Sequence, residues 1–155
     1  DPPYSLVGSE MCIRDRRFDE AEPPARRSLE IREAAFGRRN LKVGQSLEIL
    51  GNIYTQTGRL GEAEAALREC LSIYEATIGP EHGFVAYASN VLGELRIAQG
   101  RLEEAAASFE RELAIAETKM GFDHPEAVTA REGLATAYRG MGREEDAIAV
   151  ENRSR

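Results

Sequence analysis

Residues 40–81 read NLKVGQSLEILGNIYTQTGRLGEAEAALRECLSIYEATIGPE. Apolar residues at helical spacing run to a break at Gly58-Arg59, resume at Leu60, and stop at Gly79-Pro80. This is a helix, a tight turn and a longer helix. A step of 42 residues finds the unit again: Gly58 becomes Gly100 and Gly142, and Gly37 becomes Gly79 and Gly121. Ala21 becomes Ala63, Ala105 and Ala147, and His82 becomes His124. A repeat at such a period marks a solenoid, in which each unit buries its face only against its neighbours. The fold class expected is all-α, with antiparallel helix pairs stacked at a period of 42.

Residues 18–36 match a second helix whose partner would precede residue 17. Pro23-Pro24 falls inside that match, and proline is tolerated only in a helix's first turn. The helix is therefore expected to start near Pro23 or kink there, with 18–22 frayed. First helices are expected at 43–57 and 85–99, with a third opening at Asp123-His124-Pro125-Glu126. Second helices are expected at 60–78 and 102–120, and a short one from Glu144 to about Asn152. The resulting organisation is a half repeat at 17–39, repeats at 40–81 and 82–123, and a partial repeat at 124–155. Gly51, Gly93 and Ala135 share one position of the first helix, and Ala63, Ala105 and Ala147 one of the second. Small residues there allow the paired helices to approach closely.

The chain has 155 residues, 30% of them charged, and a formal net charge of −7. Nucleic-acid binding draws on Lys and Arg against phosphate, so this acidic chain is not expected to bind nucleic acid. No apolar run reaches the length of a membrane span, and no membrane association is expected. Leu6-Val7-Gly8-Ser9-Glu10-Met11-Cys12-Ile13-Arg14-Asp15 resembles one reading frame of the transposon adapter used for sequencing libraries. Residues 1–16 are therefore set aside as non-native, Cys12 with them. Without them the net charge is −6, so the acidity belongs to the remainder. The native N-terminus is expected to be missing, and the expected location is the cytoplasm.

No constellation for chemistry emerges. His82 and His124, one repeat apart, are too far separated to share a metal ion, and each reads as a cap before a first helix. His124-Pro125-Glu126 has the His-x-Glu of zinc deaminases without the Cys-x-x-Cys half. Gly140-Met141-Gly142 follows a helix and is a helix-ending turn, not a phosphate loop. Cys70 reads as a small buried thiol filling a packing position. No catalytic residue, metal or cofactor is expected.

Together, Leu50-Gly51, Ile53-Tyr54, Gly58-Arg59-Leu60, Glu62-Ala63-Glu64, Leu71, Ile73, Glu75 and Gly79-Pro80-Glu81-His82 carry a resemblance, as do their counterparts 42 residues on. They resemble the tetratricopeptide repeat, in the longer form found in kinesin light chains; the ordinary repeat is about 34 residues. The chain departs from that pattern at Gly83, at Arg96 (where Tyr54 and Tyr138 stand) and at Glu112, a normally small site. These departures are expected to loosen the middle unit or to let Arg96 and Glu112 pair.

The resemblance implies a right-handed superhelix whose first helices line a concave groove that takes an extended peptide or a partner's helix. Carried onto this chain, the groove positions are Gln45, Glu48, Asn52 and Thr55, then Tyr87, Asn90, Glu94 and Ile97, then Thr129, Glu132, Thr136 and Arg139. Asn90 matches a first-helix asparagine that holds a ligand's backbone; Glu48 and Glu132 replace it in the flanking units. Carboxylates outnumber arginines in this row, so a neutral or basic segment is the expected partner. The expected function is a non-catalytic protein-interaction module. The second reading is a regulatory repeat segment of a larger signalling enzyme, a kinase or ATPase. Exposed repeat ends are expected to promote self-association.

Overall fold

The computed structural model describes residues 17–153; the adapter-like run lies outside the described residues. Among these are seven helices and no strand: α1 (Phe18–Phe36), α2 (Leu41–Gln56), α3 (Leu60–Ile78), α4 (Gly83–Ala98), α5 (Leu102–Lys119), α6 (Pro125–Gly140) and α7 (Glu144–Glu151). They fall into two compact units, divided between Pro80 and Glu81. In the first unit α2 packs against α1 and α3. In the second, α5 packs against α4 and α6, α7 packs against α6, and the two first helices α4 and α6 also touch.

Glycines set the punctuation. Gly58, Gly100 and Gly142 take φ of 76°, 73° and 73° after the first helices. In each turn the next arginine donates its N–H five residues back: Arg59 to Tyr54 O at 2.8 Å, Arg101 to Arg96 O at 2.8 Å and Arg143 to Tyr138 O at 2.9 Å. The glycine N–H reaches three back, to Thr55, Ile97 and Arg139. This is the Schellman arrangement, which fills the last helical carbonyls and needs the left-handed residue that glycine supplies. Between repeats, Gly37 and Gly79 combine φ of 78° and 90° with ψ of 159° and 157°, a region open essentially to glycine alone.

The first helices start on side-chain caps. Asn40 Oδ1 accepts from Lys42 N–H at 2.9 Å, His82 Nδ1 from Phe84 N–H at 3.1 Å and His124 Nδ1 from Glu126 N–H at 3.3 Å. Both histidines are thus caps, as their position before a first helix suggested. The second helices start differently. Arg17, Arg59, Arg101 and Arg143 occupy the cap position without a side-chain cap bond. Each instead pairs with the acid three residues on: Glu20, Glu62, Glu104 and Asp146. That acid lies in the first helical turn, where the dipole favours negative charge.

The expectation that α1 starts near Pro23 is corrected. The helix begins at Phe18 and carries Pro23 and Pro24 within it. Both prolines are exposed, while Ala21 and Ala25 have no exposed surface. Arg17 O accepts from both Glu20 and Ala21 N–H, and Glu22 is held by Arg26 at 2.7 Å and by Arg59 at 2.8 Å. Packing and a charge network hold the turn that the prolines leave short of donors.

The small-residue series lie inside. Ala21, Ala63, Ala105 and Ala147 are fully buried. A β-carbon on Gly51 would stand 2.6 Å from Leu67, and one on Gly93 2.6 Å from Phe109. Leu67 and Phe109 are themselves one repeat apart. Gly44 admits the Tyr74 ring in the same way, at 2.7 Å. Phe109 is confined from both sides, since a β-carbon on Gly133 of α6 would lie 2.5 Å from its ring. Around it gather Leu113, Ala116, Ala127, Ala130, Leu134 and Ala137, the core of the second unit. Cys70 is fully buried, and its burial pushes the thiol well above its ordinary range, so it fills space and is not poised as a nucleophile.

Two outcomes are expected. Gly93→Ala and Gly133→Ala should each cost about 1–3 kcal/mol by overpacking. Their costs should be non-additive in urea unfolding, because both press on Phe109. His82→Ala and His124→Ala should each cost about 0.5–2 kcal/mol, and the asparagine substitutions should recover most of it.

Candidate functional site

The twelve residues expected to line a groove lie on α2, α4 and α6. In the first unit, Gln45, Glu48 and Asn52 are half-buried. Glu48 Oε2 accepts the Tyr74 hydroxyl at 2.9 Å, so this carboxylate braces α2 against α3. Burial first, and then the Glu48 charge, push the Tyr74 hydroxyl far up, keeping it a donor. Thr55 is buried and donates back to Gly51 O at 2.8 Å. Its hydroxyl hydrogen is spent within its own helix.

In the second unit, α4 and α6 pack side by side. Tyr87 and Glu94 on α4 are exposed, as are Thr129, Glu132, Thr136 and Arg139 on α6. Tyr87 keeps 41% of its surface exposed, which for an aromatic residue is a sizeable offer of contact area. Ile97 is half-buried against the core. Thr129 and Thr136 donate their hydroxyls to Pro125 O and Glu132 O, four residues back. Arg139 is clamped at 2.7 Å by both oxygens of Glu151 and at 3.1 Å by Glu144.

Asn90 is half-buried, and its Nδ2 donates to Glu112 Oε2 at 3.0 Å. This bears on two of the three departures noted in the middle repeat, Arg96 and Glu112. Arg96 and Glu112 do not pair. Arg96 donates to Gln99 Oε1 at 2.9 Å and lies 3.5 Å from Glu104, while Glu112 takes Asn90. The flanking hairpins keep an aromatic ring where Arg96 stands, and there the turn arginine stacks on it. Arg59 lies 4.4 Å from the Tyr54 ring centroid and Arg143 4.5 Å from that of Tyr138. In the middle hairpin Gln99 takes that role, accepting from both Arg96 and Arg101.

Two arrangements escaped the sequence reading. In the first unit, Arg59 binds Glu62 and Glu22 together, and Arg26 and Arg59 both lie over Tyr54. Hydrogen bonds from Arg26, then from Arg59, hold the Glu22 carboxyl below its ordinary range. In the second unit, Arg131 is buried, donates to Glu117 at 3.0 Å and to Phe122 O at 2.8 Å, and stacks on the Phe122 ring. Arg131 stands where Leu47 and Ser89 stand in the earlier repeats, a sequence signal that could have flagged it. Among the described residues no group of His, Cys, Asp and Glu could hold a metal ion, and no helix is long and apolar enough to cross a membrane.

The tetratricopeptide repeat model matches residues 9–76, 45–118 and 84–155. No curated protein matches the chain. Among solved structures, BtubC (BKLC) from P. vanneervenii superposes with a TM-score of 0.83 at 25% identity, over 95% of this chain and 58% of its own. The chain thus spans rather more than half the length of that relative. A putative kinesin light chain with nearly identical TPR-like repeats, from Podosopora anserina, superposes with a TM-score of 0.83 at 22% identity, over 97% of this chain and 73% of its own. A single-residue variant of that protein gives the same values. With a repeat model matched along most of its length and every hairpin closed in the same way, the chain belongs to the tetratricopeptide repeat family.

Proposed function

We propose that the chain is a non-catalytic protein-interaction module that takes a peptide or partner helix along its first helices, with a preference for neutral or basic segments. Membership of a family typical of protein-interaction modules supports the class of activity. The preference rests on one observation, the neutralised arginine. Arg139 is occupied by Glu151 and Glu144, whereas Glu94 and Glu132 are exposed on the adjacent helices α4 and α6. A segment carrying Lys or Arg would meet net negative charge there, beside the exposed ring of Tyr87. That ring adds apolar contact and an attractive face for a cation.

In fluorescence anisotropy with the purified chain, a basic peptide pool should bind more tightly than a neutral or an acidic one. The advantage should shrink as salt is raised, since exposed charges are screened over about 8 Å at physiological ionic strength. The double substitution Glu94→Lys and Glu132→Lys should abolish or reverse the preference. Tighter binding of the acidic pool by the unaltered chain would refute the proposal.

A further inference from the structure

A basic turn joins α1 to α2. Arg38 and Arg39 stand in it, directly before the Asn40 cap. One and two repeats on, the same positions hold Pro80-Glu81 and Phe122-Asp123. Acid thus stands at those later junctions where this one carries Arg39. Arg38 is occupied: its Nε lies 3.4 Å from Glu33 on α1, and its Nη2 donates at 3.2 Å to Glu69 on α3. Its side chain therefore reaches from the turn to α3. A recess of about 280 Å³ lies there, lined by Arg38, Arg39, Glu69, Ser72, Ile73 and Ala76.

Two polar groups of this lining have no partner among the described residues. Arg39 is exposed and makes no ion pair, hydrogen bond or ring contact with them. The exposed Ser72 hydroxyl is likewise unbonded among them. That sets it apart from Thr77 on the same helix and from Ser108 and Thr118 on α5, which donate to the carbonyl four residues back. Both groups can donate to an anion. The carboxylate of the lining, Glu69, is engaged with Arg38, while Ile73 and Ala76 add apolar surface.

An arginine fork matches a carboxylate with two parallel hydrogen bonds, and a hydroxyl adds a third. Small-molecule pockets span about 300–1,000 Å³, so this recess suits a single side chain. A glutamate matches each part of it: the carboxylate meets Arg39 and Ser72, and the methylenes meet Ile73 and Ala76. We propose that this recess on the first unit takes a glutamate side chain of a partner protein, anchored on Arg39 and Ser72. Charge complementarity argues for that occupant, since the lining sets two arginines against one carboxylate in a chain of net charge −7. None of its residues is among the twelve first-helix positions, and it takes the opposite charge from the segment proposed there. Either proposal can therefore fail without the other.

The test is an NMR titration of the ¹⁵N-labelled full chain with the tripeptide acetyl-Gly-Glu-Gly-amide and with its glutamine counterpart. The glutamate tripeptide should move the Arg39 Nε–H and the Ser72 and Ala76 amide signals saturably, and the glutamine one should bind about tenfold more weakly. Arg39→Gln, in an exposed turn, should weaken the glutamate tripeptide about tenfold as well. Ser72→Ala, which installs the residue of the next repeat, should weaken it severalfold. Added salt should weaken it further, while the double substitution Glu94→Lys and Glu132→Lys should leave it unchanged. Equal binding of the two tripeptides, binding indifferent to Arg39→Gln, or no saturable shift at Ser72 and Ala76 would overturn the proposal.

Discussion

Where Gly51 meets Leu67 and Gly93 meets Phe109, a single added carbon would stand 2.6 Å from the opposing side chain. No real β-carbon tolerates that distance without displacing its neighbour, so in the α2–α3 and α4–α5 hairpins the two helices are held at a separation that glycine permits, and Ala135 keeps the same position small in the last. The other regularities depend on this closeness. It places Ala63 and Ala105 at zero exposure. It requires turns short enough to return the chain at once, which the positive-φ glycines at 58, 100 and 142 provide. A repeat that must keep its helices this near has little latitude at those positions and much elsewhere.

That latitude shows in the polar contacts within each hairpin. The same structural level holds a tyrosine–glutamate bond in one, Tyr74 to Glu48, and an asparagine–glutamate bond in the next, Asn90 to Glu112. The turn arginine stacks on tyrosine in the first and last hairpins but meets Arg96 and Gln99 in the middle one. Buried polar pairs of this kind add little net stability compared with apolar packing, yet an unmet partner is expensive. Each repeat therefore carries its own matched set on a shared scaffold.

The same division separates scaffold from surface. The residues that make the family recognisable set helix separation, turn shape and caps. The exposed first-helix residues Tyr87, Glu94, Thr129 and Glu132 are under none of these constraints. In the interaction role we propose, partner preference falls to side chains whose identity the packing does not dictate, where electrostatic complementarity governs selectivity and encounter more than raw affinity.

The helix pairs, their 42-residue step, the glycine turns, the histidine caps and the buried alanines were all legible in the chain. Each rests on local chemistry: apolar spacing, a backbone conformation open to glycine, or an acceptor placed before a helix. The start of α1 at Phe18 was not legible, because local rules place two prolines against it and only packing with Arg59 and Arg26 overrides them. Of the proposed groove residues, the sequence could place them on first helices but could not say that Thr55 is buried, that Arg139 is already paired, or that Asn90 is turned to Glu112. Those outcomes depend on which side chain arrives from another helix. Repeat spacing determines the frame; the meeting of distant side chains in three dimensions decides what each polar group has left to offer.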